Sequence, residues 1–373
     1  MNKTVASRDN IERDLKALVL IPGLCGYEGR IRKHIRERLE REKVSTRTDR
    51  LGNLIATIKG NENAPSVMLF THMDQLGFVV RKIEDGGFVR IERVGGVPER
   101  ALASQPVLFQ IAEGHDRSGV IANKSHHATA ADEKYTVVPY RELYIDVGLD
   151  SAEAVQASGI NVGTPVVYKP HAIDLSPDRI AGTAVDDRAG CAVLLEVVRQ
   201  LSKVKCLPTI HVVFSVQEEF NLRGAVTAAQ ALQPDIAIQI DLLLTGDTPD
   251  MVGVTDVRLG AGPGISLFSF HGRGTLNGTI PHPALPLLFE HSAVVAELPL
   301  QRSAQTGALT ETSYVQLAGE GIACIDVGFP CRYTHSSLEV CDLNDLTGLA
   351  RLLVTALPMI DDSFSLDREQ YPQ

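Results

Sequence analysis

Tryptophan is absent from the 373-residue sequence, and its six cysteines form no C-x-x-C pair. Without tryptophan, the chain lacks the largest aromatic platform for stacking on a sugar ring, which weighs against a carbohydrate hydrolase. Most of the cysteines stand in apolar stretches, such as Cys191 in GCAVLL and Cys324 in IACIDV. We therefore expect free, buried thiols, which fits a protein of the reducing cytoplasm.

Long apolar runs are also missing. No stretch approaches the roughly 20 apolar residues that a membrane-spanning helix needs. The N-terminal segment carries charges up to Lys16, unlike the apolar region of a signal peptide. Basic residues are not in excess either. The sequence has 36 lysines and arginines and 46 aspartates and glutamates, which gives a net charge of −10. We therefore expect a protein that binds neither membranes nor nucleic acids.

The order of patterns along the chain predicts two structural units. Helix-like and strand-like segments alternate in residues 1–75 and 169–373, and the later strands are densely apolar. This alternation predicts an α/β fold with a mixed, largely parallel sheet covered by helices. In residues 76–168, short runs that alternate apolar and polar residues are separated by Gly, Pro and Asp turns. That texture is typical of a small all-β barrel or sandwich, so we expect a barrel-like domain inserted into the α/β domain.

Histidines and acidic residues stand at the ends of five strand-like runs. Ligands of open α/β sheets bind beyond the carboxyl ends of the strands, so we expect these side chains to meet. The positions are His72 with Asp74, Asp186 with Asp187, Glu218 with Glu219, Asp241, and His335. Two histidines with several carboxylates are the ligand mix of a dinuclear zinc or cobalt hydrolase, in which a carboxylate bridges two cations about 3.5–4 Å apart.

Each of these signals has an ordinary structural explanation when it is taken alone. The aspartates at 186–187 immediately precede a predicted helix and could cap its N-terminus. The aspartate of IAIQID could begin a turn, and each histidine could lie in a surface loop. The adjacent glutamates of VQEEF could form a solvated strand end. The recurrence of these residue types at successive strand ends is what favours a metal centre.

Five segments, in chain order, resemble the signature segments of the tetrahedral (TET) aminopeptidases, a family that includes glutamyl and deblocking aminopeptidases. They are THMDQLGF, AVDDRAG, VQEEFNLRGA, IQID and RYTHSS. DRLGNLIA and RVGGVPER match as well, and the resemblance extends from about residue 12 to about residue 357. Some members of this family carry the name endoglucanase. The resemblance implies a zinc-peptidase-like catalytic domain, interrupted by a β-barrel-like dimerisation domain at residues 76–168.

The resemblance also implies a metal-binding role for five residues. His72 would bind one metal ion, Asp186 would bridge both ions, and Glu219 would bind the first ion. Asp241 would bind the ion shared with His72, and His335 would complete the other site. The implied cofactors are two divalent ions per subunit, zinc or cobalt, and manganese also suits this ligand set.

Two further residues receive catalytic roles from the same resemblance. Glu218 would be the general base, and Asp74 would orient the ring of His72. The implied activity is that of a metal-dependent aminopeptidase, which releases N-terminal residues from peptides with a free α-amine. Members of the family commonly assemble as dodecamers, so the resemblance also implies a homo-oligomer built from dimers.

Of the segments that depart from the family pattern, one bears on the substrate, and other activities stay open. ALTETS, residues 308–313, stands where the family usually has a GTDA-like stretch, with Glu311 in place of an aspartate or a small residue. This region lies near the substrate in the family, so the substrate preference is open. A dinuclear-metal deacylase or amidohydrolase acting on small acylated amines is one alternative. A two-carboxylate glycoside hydrolase and an inactive assembly subunit are the others.

Overall fold

The computed structural model describes residues 6–204, 207–272 and 277–371. The helices in these ranges are α1 (Arg8–Leu18), α2 (Gly29–Arg41), α3 (Ala152–Ala157), α4 (Val185–Leu201), α5 (Gly224–Leu232), α6 (Ala284–Val295), α7 (Thr312–Val315) and α8 (Leu343–Ala356). The strands are β1 (Thr46–Thr48), β2 (Leu54–Ile58), β3 (Val67–His72), β4 (Gly77–Ile83), β5 (Val89–Val94), β6 (Pro106–Phe109), β7 (Arg117–Ile121), β8 (Ile145–Asp146), β9 (Pro165–Tyr168), β10 (Ala172–Asp174), β11 (Arg179–Gly182), β12 (Ile210–Ser215), β13 (Ile236–Leu244), β14 (Gly264–Phe270), β15 (Gly278–Thr279), β16 (Gln301–Thr306), β17 (Ala323–Cys331) and β18 (Glu339–Asp342).

The central sheet has a parallel middle and antiparallel flanks. Its strand order is β1-β2-β12-β3-β13-β17-β14-β15, and β16 pairs with β14 outside this path. The middle strands β12, β3, β13 and β17 run parallel to one another, whereas β2 and β14 pair antiparallel with them. The sheet is therefore mixed and largely parallel at its centre, which confirms the predicted fold class.

Helices cover both faces of this sheet because its middle strands are apolar on both sides. Neighbouring residues on a strand point to opposite faces. Leu69 of β3 accordingly lies in one core cluster with α1, α4 and α8, while Phe70 lies in another with Ala225 and Ala228 of α5. All four side chains are fully buried, and burial of such apolar area, at about 25 cal/mol per Å², is the main force holding the layers together.

The six strands β4 to β9 close into an antiparallel barrel, in the order β4-β5-β8-β7-β6-β9. Alternate residues fill its interior, as Phe78 and Val80 do from β4 and Val107 and Phe109 do from β6. In the chain, the barrel follows β3 of the central sheet, and a small sheet, β10-β11-β18, comes after it. The closed barrel confirms the all-β unit that alternation predicted.

One segment forms less helix than its sequence pattern indicates. The run TSYVQLAGEG, residues 312–321, looks helical in the sequence, but only the single turn α7 forms, and the chain then bends at Gly319 and Gly321, which both have positive φ. The run DIAIQIDLLL is strand-like as a whole, and β13 accordingly continues past Asp241 to Leu244, because Asp241 to Leu244 pair in register with Gly328 to Cys331 of β17.

Two further expectations concern the cysteines and the membrane. Five cysteines are free and buried, as predicted, and the sixth, Cys206, lies outside the described residues. The five are Cys25, Cys191, Cys324, Cys331 and Cys341. No helix within the described ranges is both long and apolar enough to cross a membrane.

Candidate active site

Two groups of potential metal ligands meet at the carboxyl ends of the parallel strands. One group is His72, Asp186 and Asp241, and the other is Asp186, Glu219 and His335. In each group, the ligand atoms all lie within 4.8 Å of one another. Asp186 belongs to both groups, and we call the two groups the paired triads. The structure thus brings together all five residues that the sequence proposed as metal ligands, and it places Glu219 with His335.

The first triad is built from three separate elements. His72 is the last residue of β3, and its Nε2 lies 2.9 Å from Oδ1 of Asp186, which follows β11 at the start of α4. Asp241 comes from β13, and its two oxygens accept hydrogen bonds from Nε2 of Gln239 at 2.9 Å and from the backbone N–H of Leu242 at 2.7 Å. These bonds fix the Asp241 carboxylate beside the other two ligands.

The second triad depends on the orientation of His335. Its Nδ1 lies 2.9 Å from the backbone oxygen of Gly96, which can only accept, so in the neutral, metal-binding form of the ring Nδ1 carries the proton and Nε2 has the lone pair. That Nε2 lies 3.5 Å from Asp186 and 3.6 Å from Glu219. A Cβ atom at position 96 would sit only 3.0 Å from Nδ1, so a larger residue there would push the His335 ring away by a few tenths of an ångström.

The paired triads fit divalent cations. Ligand atoms around a tetrahedral ion with bonds of about 2.1 Å lie about 3.4 Å apart, close to the separations of 2.9–3.6 Å seen here. Oε1 of Glu219 is buried and has no hydrogen-bond partner in the described ranges. Burial, together with the nearby Asp186 carboxylate, raises the pKa of Glu219 to about 7. Each of these crowded carboxylates opposes the ionisation of its neighbours by charge repulsion. A bound cation would relieve that repulsion, so the arrangement favours a metal ion.

The pKa values of both histidines also reflect this crowding. The Glu219 carboxylate raises the pKa of His335 to about 9 against the opposing effect of burial. Burial lowers the pKa of His72, but Glu218 and Asp186 overcome it and raise that pKa well above its usual value. The site therefore attracts positive charge, whether as protons or as metal ions.

Asp74 holds the loop that carries the two glutamates. Its Oδ1 accepts a hydrogen bond from the backbone N–H of Glu218 at 3.0 Å, and its Oδ2 accepts one from that of Glu219 at 3.1 Å. Cys25 also donates its thiol to Oδ2. Oδ1 lies 3.6 Å from Nδ1 of His72, which is beyond hydrogen-bond distance. The contacts of Asp74 therefore fix the glutamate loop directly, and they approach the ring of His72 less closely.

Glu339 is a site residue that sequence reasoning missed. Its carboxylate accepts hydrogen bonds from the backbone N–H of Asp186 at 2.9 Å and from that of His335 at 2.6 Å. It thereby ties the shared ligand to a ligand of the second triad. The only sequence signal was an acidic residue at the start of the otherwise apolar run EVC, and such a residue is buried only when its oxygens have partners.

Asp187 was considered together with Asp186, but it points elsewhere. It accepts hydrogen bonds from the hydroxyl of Thr71 and, at 3.0 Å, from the backbone N–H of Gly190. Its role is thus the helix-capping role that the sequence left open, and it belongs to neither triad. Ala184, Gln217 and His335 have positive φ beside the site, a strained conformation that clusters at functional positions.

A cavity of about 660 Å³ opens over the paired triads. Glu218 lines this cavity with Asp186, Glu219, Asp241 and His335. The carboxylate of Glu218 accepts no hydrogen bond within the described part of the chain, so it is free to meet a molecule in the cavity. Burial raises the pKa of Glu218 well above its usual value. A buried, unengaged carboxylate beside a metal site can accept and donate a proton.

The chain is similar in sequence to one family of known proteins. The family model described as M42 glutamyl aminopeptidase matches residues 52–352. The chain is 38% identical over 360 residues to SgcX of Escherichia coli (strain K12), whose aminopeptidase name is provisional, and the match covers 96% of each chain.

Two solved structures extend the comparison. The aminopeptidase APDkam598 from the archaeon Desulfurococcus kamchatkensis has a TM-score of 0.88 and 32% identity, over 96% of this chain and 97% of that one. The TET1 peptidase of Pyrococcus horikoshii, whose description says that it can assemble into a tetrahedron or a large octahedral shell, has a TM-score of 0.82 and 28% identity, over 93% of this chain and 99% of that one. The family resemblance inferred from the five segments is thus confirmed, and the chain belongs to the M42 glutamyl aminopeptidase family.

Proposed function

We propose that this member of the family is a two-metal aminopeptidase that hydrolyses the first peptide bond of substrates with a free α-amine. The observation that carries the proposal is the pair of triads sharing Asp186, set in the wall of a cavity that also exposes Glu218. His72 and Asp241 would hold one ion with Asp186, and Glu219 and His335 would hold the other. Zinc or cobalt suits these nitrogen and carboxylate ligands best, and manganese also fits.

Bound divalent cations would supply Lewis acidity, which lowers the pKa of a water molecule and neutralises negative charge that develops on a peptide oxygen. Glu218 would accept the proton of the attacking water and pass it to the nitrogen of the departing peptide. Asp74 supports this role by fixing the backbone N–H of Glu218, which holds the base at the edge of the cavity.

The competing activities are less well supported. A glycoside hydrolase needs two carboxylates but has no use for two histidines whose Nε2 atoms face a shared aspartate. A deacylase would use the same metal centre, and it differs from an aminopeptidase only in its indifference to the substrate's α-amine.

Assembly and location form part of the proposal. We assign dimerisation to the inserted unit at residues 76–168 and catalysis to residues 1–75 and 169–373. Assembly of such dimers into a dodecamer is supported by the shells described for the TET1 peptidase. A cytoplasmic location is supported by the buried free thiols.

The decisive experiment is hydrolysis of peptides with free N-termini, each paired with its N-acetylated form, with and without a metal chelator. We expect chelator-sensitive release of the first residue from the free peptides alone. Cleavage of the acetylated peptides alone would establish the deacylase activity. Chelator-resistant hydrolysis would exclude the metal centre.

A pair of variants tests the assigned roles. Glu218→Gln should keep both metal equivalents and lose at least about two orders of magnitude in kcat, since general-base catalysis contributes about 10²–10⁴-fold. Glu219→Gln is the matched control, because it changes the neighbouring residue in the same way but should lower the metal content measured by elemental analysis. Near-normal turnover by Glu218→Gln would remove Glu218 as the base.

A further inference from the structure

The cavity over the paired triads has an apolar wall that the metal centre does not use. Leu242 and Leu244 contribute to it from β13, just beyond Asp241. Ala308 and Leu309 contribute to it from the segment that departs from the family pattern. We call these four residues the apolar wall. All four are partly buried and therefore still present surface to the cavity.

The acidic side chains that line the cavity already have roles in the metal centre or as the assigned base. Its acidic lining residues are Asp186, Glu218, Glu219 and Asp241, which are triad members or the assigned base. Four carboxylates balance two divalent cations, so the loaded site has no net charge to offer a substrate side chain. Among the described lining residues there is no lysine or arginine. An acidic substrate side chain would lose its hydration here without gaining an ion pair to a lysine or an arginine.

The apolar wall is also preformed. The hydroxyl of Thr310 donates to Oδ2 of Asp326 at 3.0 Å, and the backbone N–H of Thr312 donates to Oε1 of Gln239 at 2.9 Å. Glu311, between them, accepts a hydrogen bond from the backbone N–H of Ala225 at 2.6 Å. Three successive residues are thus anchored to three different elements, and the wall residues directly before them are held in place. A preformed apolar surface binds a matching side chain without an ordering cost.

We propose that the apolar wall receives the side chain of the substrate's N-terminal residue, so that the enzyme prefers uncharged aliphatic residues such as leucine over glutamate and lysine. This inference rests on the proposed aminopeptidase function and specifies its substrate class. One methylene in an apolar pocket changes kcat/KM by about 10–200-fold. We therefore expect leucine to exceed alanine by at least about tenfold, and to exceed glutamate and lysine by more.

The test measures kcat/KM of the metal-loaded enzyme on peptides that differ only in an N-terminal Leu, Ala, Glu or Lys. Leu309→Arg and, separately, Leu244→Arg should lower the Leu-to-Glu ratio by at least about tenfold, by placing a cation where the apolar contact was. Leu317→Arg is the matched control, because Leu317 is 68% exposed and does not line the cavity. This control should keep the wild-type ratio.

The outcomes separate this inference from the proposed function. Hydrolysis of none of the four peptides would refute the aminopeptidase function itself. Efficient hydrolysis with Glu or Lys equal to or better than Leu would overturn the inference and leave the function intact. An unchanged ratio in both arginine variants, with metal content and thermal stability retained, would also overturn it. His271→Ala belongs in the series, since His271 lines the cavity, and a lower rate on the Glu peptide alone would assign acidic specificity to that histidine.

Discussion

Replacing Glu311 tests how the segment that departs from the family pattern is held beside the active site. Glu311 is fully buried. Its Oε2 accepts a hydrogen bond from the hydroxyl of Ser215 at 2.5 Å, and its Oε1 accepts one from the backbone N–H of Ala225 at 2.6 Å. Ser215 ends β12 three residues before Glu218, and Ala225 lies in the first turn of α5. The side chain therefore joins this segment to both elements that flank the assigned base.

Glu311→Ala should destabilise the protein, because it leaves the buried N–H of Ala225 without an acceptor and removes one of the two acceptors near the hydroxyl of Ser215. A hydrogen bond to a charged group contributes about 1.5–3 kcal/mol, so the loss of two costs about 3–6 kcal/mol. An unfolding entropy of about 2.1 cal/mol/K per residue gives about 0.8 kcal/mol/K for a chain of this length. The melting temperature should therefore fall by about 4–8 °C.

Glu311→Gln should be tolerated much better. The amide has the same shape, and its oxygen can accept the N–H of Ala225. Its NH₂ group can donate to the hydroxyl of Ser215, whose own proton can turn to the backbone oxygen of Thr71 at 3.2 Å. Every buried polar atom then keeps a partner, and we expect a cost of about 1 kcal/mol or less.

The assay is thermal unfolding of the metal-loaded variants, monitored by differential scanning fluorimetry. The measurement is made at pH 8, because burial raises the pKa of Glu311 to about 7, so the wild-type carboxylate is then ionised. An alanine variant as stable as the glutamine variant would refute the reasoning from hydrogen bonds. A glutamine variant as unstable as the alanine variant would show that the charge of Glu311 matters more than its hydrogen bonds.

The remaining predictions concern the metal centre. Asp186→Ala should lose both metal equivalents, whereas Asp241→Ala should keep one; two tight equivalents in Asp186→Ala, measured by elemental analysis, would exclude the shared ligand. The metal-free protein should lose stability as the pH rises from about 5 to about 9. The pKa of Glu219 is raised from 4.5 to about 7, so the folded state opposes ionisation of that carboxyl, and the pKa of His335 is raised from 6.5 to about 9, so the folded state favours its protonated ring. Melting temperatures at pH 5.5 and 8.5 with chelator check this, and a higher value at pH 8.5 would contradict the assigned shifts.

Local sequence patterns predicted strands such as β4 and indicated which residues could be metal ligands. GFVVRKI, predicted as a strand, is β4 over the same seven residues, because alternation of apolar residues reports directly on one buried face. His72 and Asp241 could be proposed as ligands because a polar residue in or after an apolar parallel strand lies where such sheets bind their ligands. The length of helix α7 was overestimated, because the helix has only four residues and a segment that short cannot show a helical period.

The sequence by itself determined the α/β class, the inserted all-β unit and the family. It also identified which His, Asp and Glu residues could meet, since these follow from periodicity and from short contiguous motifs. Only the tertiary structure decided which contacts hold those residues in place. Gly96 accepts a hydrogen bond from His335, 239 positions away, and Glu339 orients Asp186, 153 positions away. Such contacts depend on how β17, the small sheet and the loop after β5 pack together. A local sequence pattern does not show which residue so far along the chain will be the partner.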